Sequence, residues 1–258
     1  TVDLTNAAND IANASGSAST TFNLVDVSAL NVGNVTAGTT ATVSAPTMTV
    51  SGTLTAPTVS LTASTGTLGV TGTISSTATA NLAGAGGISG STGKILGSGS
   101  LSAISTGGSV DLSNGSNAIA NLSGSASTSF NVGDSVNLTV GTVTAGTTAS
   151  VSAPTLTAAG SIAAPTVSLT ASTGTLGITG TISSTATANL AGAGGISGAT
   201  GKILGSGSVS AISTGGTVDL TNAANDIANA SGSASTTFNL VDVSALNVGN
   251  VTAGTTAT

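Results

Sequence analysis

The chain has no cysteine, histidine, tryptophan, tyrosine, arginine or glutamate. Without cysteine there is no disulfide and no thiol nucleophile, and the redox compartment stays open. Bacterial exoproteins that cross membranes unfolded often lack cysteine, so the absence fits secretion. Without histidine there is no Ser-His-Asp triad, and a zinc ion has neither Cys nor His to hold it. The surface residues of helices are missing or rare, which speaks against helix. The only aromatic residues are Phe22, Phe130 and Phe238. Charge is equally scarce: Lys94, Lys202 and eight aspartates, for a net charge of −6. A phosphate backbone is bound by Lys and Arg, so nucleic acid is not an expected partner. No apolar run approaches the roughly 20 residues of a membrane-spanning helix.

What is present is small, β-branched and hydroxylated. Hydrophobic residues make up 39% of the chain and the mean hydropathy is +0.47. Disorder needs low hydrophobicity as well as few packing residues, and this composition does not meet that condition. Val, Ile and Leu spaced through Thr, Ser, Gly and Asn suit a pleated, half-buried surface.

The chain also repeats itself. Residues 1–42 return letter for letter as 217–258, and a near-copy lies between them at an offset of 108. Val2-Asp3-Leu4 becomes Val110-Asp111-Leu112 and then Val218-Asp219-Leu220. Fixed-period self-similarity marks a solenoid or an array. The expected organisation is one continuous solenoid: residues 1–108 as the first repeat unit, 109–216 as the second and 217–258 as the start of a third. The whole is expected to be a window of a longer chain.

Within each repeat a shorter period of about 19 residues is visible. Most segments open with an alternating run (Val2/Leu4, Phe22/Leu24, Val59/Leu61). A second run follows (Leu30/Val32, Met48/Val50, Leu68/Val70), and then a third (Val35, Leu54, Ile74). Gly, Asn, Ser or Pro separates the runs. Period-two alternation bounded by turn residues is the strand signal. Three short strands per segment describe one rung of an all-β, right-handed parallel β-helix, a β-solenoid, since parallel connections favour that hand. The spacing predicts about six rungs per repeat, about 28 Å of fibre at about 4.8 Å per rung. Apolar residues form inward ladders, Thr, Ser and Asn face outward, and no helix is expected. The phase of the rungs around residues 84–108 is left open, with Gly84-Ala85-Gly86-Gly87 as a loop or a tight corner.

Comparison of the copies supports the inward positions. Many apolar differences are swaps of similar volume, such as Met48/Leu156, Leu54/Ile162 and Val70/Ile178, which a packed interior tolerates. Less conservative changes cluster at Val25–Asn31 against Gly133–Thr139, and that stretch is expected at the surface or at a corner in at least one copy.

Segments such as GTVDLTNAANDIANASG, NVGNVTAGTTATVSAPTMTVSG and APTVSLTASTGTLGVTGTI resemble the repeats of filamentous-haemagglutinin-type exoproteins. These are large bacterial adhesins exported by two-partner (type V) secretion. The resemblance covers all 258 residues. It implies a long extracellular shaft used in attachment, cell–cell contact or biofilm, and an outer-membrane transporter as export partner.

Catalysis by a β-helix needs paired carboxylates, or a carboxylate with Lys or Arg. Here the aspartates are scattered, Asp10 becomes Ala118 in the second copy, and Lys94 and Lys202 stand in Ser/Gly-rich stretches. No catalytic, cofactor-binding or metal-binding residue is assigned, no cofactor is expected, and the chain is read as a non-enzyme. The Asp of each Val-Asp-Leu (Asp3, Asp111, Asp219) is expected to point outward as a solvated strand residue, with calcium between rungs as the minor alternative. The three phenylalanines are expected in the core, with sugar stacking at the surface as the alternative. Thr-X-Thr pairs recur, but they fall at different phases of a 19-residue frame, so a single flat threonine file is not expected.

Three functions fit this sequence. The first is a structural repeat shaft of a secreted bacterial fibre at the cell surface, with lateral or end-to-end self-association. The second is a binding module for glycans, host or bacterial, or for ice, through outward Thr/Ser/Asn faces. The third is an amyloid-like fibre that stacks strands between chains. An aligned outward file would favour the second.

Overall fold

The computed structural model describes residues 1–205 and 207–258. Among the described residues there is no helix; the chain forms short strands that pair in parallel with strands one rung further on. This is the expected parallel β-solenoid. Two compact units are distinguished, Thr1–Ser135 and Val136–Thr258.

In the first unit one sheet stacks Val2–Leu4, Thr21–Val25, Thr40–Ala45, Thr58–Ala63, Thr79–Gly84, Ser98–Ser105 and Ile119–Ala126, each pairing with the next. The second sheet begins with Asn13–Ala18 against Leu30–Ala37. The two halves of Leu30–Ala37 then pair with separate short strands, Met48–Val50 and Thr53–Thr55. Those two columns continue through Thr67–Val70 and Thr73–Ser75 to Gly87–Ser89 and Lys94–Leu96. Val110–Leu112 and then Ser129–Gly133 extend the first of them. A rung therefore has one long strand and two short ones with a bend between. The bend is tight because glycine stacks on glycine there: a Cβ on Gly72 would overlap the carbonyl oxygen of Gly52. Pro46 and Pro57 stand at other corners. Having no N–H, they serve only as acceptors, from Thr65 and Gly66 at Pro46 and from Ala78 and Thr79 at Pro57.

Alternation fills the interior. On the first sheet Phe22, Ala41, Val59, Ala80, Leu101 and Leu122 form one inward ladder, with Leu24, Val43, Leu61, Leu82 and Ala103 beside it. On the second, Leu30, Met48, Leu68, Ile88, Val110 and Phe130 form another. All are buried. Small Ala41 and Ala80 alternate with larger Phe22, Val59 and Leu101 along the first ladder, while the third is large throughout.

The second unit has the same construction. Thr148–Ala153, Thr166–Ala171, Thr187–Gly192, Ser208–Ser213, Asn229–Ala234 and Asn247–Ala253 stack in one sheet. Leu138–Ala145 splits into Leu156–Ala158 and Ser161–Ala163, which lead through Thr175–Ile178 and Thr181–Ser183 to Gly195–Ser197 and Lys202–Leu204.

The rung length departs from the fixed 19 residues expected. Inter-rung contacts span 18, 19, 20, 21 or 22 residues. The longer rungs absorb what looked like a short remainder after residue 95, and the repeat holds about five and a half rungs instead of six. Gly84–Gly87 is a tight corner between Thr79–Gly84 and Gly87–Ser89. The variable stretch after Val25 is likewise a corner, with Val27 exposed between Thr21–Val25 and Leu30–Ala37.

Candidate binding surface: aligned hydroxyl and amide files

Because side chains alternate along a strand, the positions between the core residues face outward. On the long-strand sheet of the first unit, register carries Thr21 onto Thr40, Thr58, Thr79, Ser100 and Asn121. Beside this file run Asn23, Thr42, Ser60, Asn81, Ser102 and Ser123. A third file holds Val25, Ser44, Thr62, Ala83, Ile104 and Ser125. All eighteen side chains are half-buried or exposed. The second unit carries the same surface, with Thr148, Thr166, Thr187 and Ser208 beside Ser150, Ser168, Asn189, Ser210 and Ser231. Its third file runs Ser152, Thr170, Ala191, Ile212 and Ser233.

These files correct the expectation drawn from a constant 19-residue frame. Four successive rungs present threonine at one position, because a short step from Thr40 to Thr58 is followed by a long one from Thr58 to Thr79. Corner lengths vary while strand register holds, so only the stacked structure shows which threonines align.

The surface is rich in groups that both donate and accept hydrogen bonds. None of the eighteen positions in the first unit is charged; Asp3, one rung before Asn23, stands at the head of the middle file. Cross-rung contacts hold some members in place: Asn121 Nδ2 donates to the Gly99 carbonyl at 2.8 Å, and Asn229 Nδ2 to that of Gly207 at 2.7 Å. Asparagine also ladders on the other column, where Asn31 Nδ2 donates to Asn13 Oδ1 at 3.0 Å.

Phe22, Phe130 and Phe238 are buried core residues. Asp111 and Asp219 face outward between buried Val and Leu neighbours, each accepting the backbone N–H two residues on. Lys94 and Lys202 are exposed outward residues of Lys94–Leu96 and Lys202–Leu204. Among the described residues no three Asp side chains gather as metal ligands would.

A buried polar corner escaped the sequence reading. Asn117, 1% exposed, donates to the carbonyls of Leu112 and Gly133 at 2.9 and 3.0 Å and accepts the N–H of Ile95 at 2.8 Å. Asp134 accepts the N–H of Ile119 at 2.9 Å. In the third copy Asn225 and Asp242 do the same work; in the first, Asn9 donates to the carbonyls of Leu4 and Val25, and Asp26 accepts the N–H of Ile11. The signal was their recurrence at an offset of 108, which solvated residues share and which therefore did not distinguish them.

No family model, curated protein or solved structure matches the chain.

Proposed function

We propose that this chain is the structural repeat shaft of a secreted bacterial fibrous adhesin or extracellular filament, serving attachment, cell–cell contact or a biofilm matrix. The observation that carries the reading is the unbroken parallel stacking within each unit, with apolar ladders inside and 108-residue copies in tandem. Such a solenoid resists bending because each rung is hydrogen-bonded to its neighbours along the axis, and copy number sets its reach. The resemblance to filamentous-haemagglutinin-type repeats supports an extracellular place and export through an outer-membrane transporter. No catalysis is assigned to it.

Cryo-electron microscopy of the native full-length material tests the shaft. One chain winding through successive layers about 4.8 Å apart is the expected image. Strands stacked between chains would replace the shaft with an amyloid-like fibre.

The threonine file supports a second reading, direct recognition of glycan or ice. Thermal hysteresis or binding on a glycan array, abolished by Thr58→Lys, would establish it. Without either activity the surface is left to contacts between shafts.

A further inference from the structure

Identical letters change sheets. In the first unit Val2–Leu4 pairs with Thr21–Val25 in the long-strand sheet. Its counterpart Val110–Leu112 is stacked instead on Gly87–Ser89, in the other sheet, and leads to Ser129–Gly133 there. The second unit repeats the change. Thr148–Ala153 leads into Thr166–Ala171, while its counterpart Thr256–Ala257 follows Gly195–Ser197, Val218–Leu220 and Thr237–Leu240 in the opposite sheet. The cause is the fractional rung count. The first sheet is met at Val2, Phe22, Ala41, Val59, Ala80, Leu101 and Leu122, and Val110 falls between the last two. A repeat of about five and a half rungs ends half a rung away from where it began.

We infer that the hydroxyl and amide surface, which each unit carries on its own long-strand sheet, docks a second copy of this chain. The inference rests on the shaft reading.

Three features single out a second copy as the occupant. The eighteen outward positions of the first unit carry no charge, so two chains of net charge −6 meet there without opposed carboxylates. Hydroxyls and amides are self-complementary, as an isologous contact requires. An exposed isoleucine recurs at the same place in each copy: Ile104 and Ile212, both 43% exposed, beside Ala83 and Ala191. Ile104 borders a shallow groove with Ser60, Thr62, Asn81 and Ser102. Six rungs of six-residue strands make a face of about 30 by 20 Å, so a pair buries about 1,200 Å², the lower end for a specific contact. One face holds weakly, and tandem copies hold by number.

The 258-residue chain tests this by sedimentation velocity over a concentration series, with negative-stain images of the same samples. The wild-type chain is expected to self-associate as concentration rises, with shafts side by side. Ile104→Lys and Ile212→Lys should each weaken the association, and the double variant should be monomeric with an unchanged β circular dichroism spectrum. Ser60→Lys with Ser168→Lys, on the adjoining file, should give the same monomer. A wild-type chain that stays monomeric, or a double variant that assembles like wild type, would overturn the docking surface itself. None of these outcomes alters the 4.8 Å layers on which the shaft reading is judged.

Discussion

Gly124 leaves the room that the ring of Phe130 fills. A Cβ at residue 124 would lie 2.7 Å from Cε2 of Phe130 and would overlap the carbonyl oxygen of Ala103. The pair recurs as Gly232 and Phe238, with 2.9 Å in place of 2.7 Å, and more loosely as Gly16 and Phe22 at 3.6 Å. One aromatic ring per repeat is accommodated because the residue across the core has no side chain. Gly124→Ala is therefore expected to destabilise the chain by about 3 kcal/mol through overpacking. The denaturant midpoint measures it, and Phe130→Leu in the same chain should restore part of the loss. A Gly124→Ala midpoint equal to wild type would mean that ring and backbone move aside without cost.

Asn117 ties three levels of the stack together: Ile95 one rung back, Leu112 on its own rung and Gly133 one rung on. Asn117→Ala strips partners from three backbone groups at a fully buried site and should cost about 3 kcal/mol. Hydrogen exchange should accelerate around residues 95, 112 and 133 first, since a solenoid loosens locally. Asn225→Ala should cost as much, because Asn225 makes the same three bonds, to Ile203, Leu220 and Val241. An effect at only one of the two sites would contradict this account.

Asp26 accepts the N–H groups of Ile11 and Ser28 at 2.7 and 2.8 Å and the Ser28 hydroxyl at 3.0 Å. Asp26→Ala should loosen that corner by about 2 kcal/mol. Asp10, which meets only the Ser28 hydroxyl at 2.7 Å, should tolerate Asp10→Ala, the residue that the second copy already has at Ala118. Thermal melting of the two variants distinguishes the positions.

Met48→Leu and Val70→Ile copy differences that the second repeat already contains at Leu156 and Ile178. Both sites are fully buried, and each swap should shift stability by less than about 1.5 kcal/mol. A larger loss in denaturant unfolding would mean that the two copies have cores of different shape.

Much of this fold is legible in local alternation. Val59 and Leu61, Met48 and Val50, Leu54 and Ile74 all fall inside, and the turns stand where Gly and Pro interrupt the runs. Period two is a property of the strand itself, set by the backbone pleat, and needs no partner to be read. The corner residues were less legible. Asn117 and Asp134 are polar letters in a polar stretch, and their burial depends on which carbonyls and N–H groups the neighbouring rungs bring to them.

Composition and repetition determined the class: few charges, small β-branched residues and a 108-residue recurrence admit a stacked β architecture and little else. Only the tertiary structure decided the alignment. Thr40, Thr58 and Thr79 share a file, and Val110–Leu112 leaves the sheet of Val2–Leu4, because rung length is set by how each corner packs on the corner below. That packing is a contact between residues about twenty apart, and no local pattern encodes it.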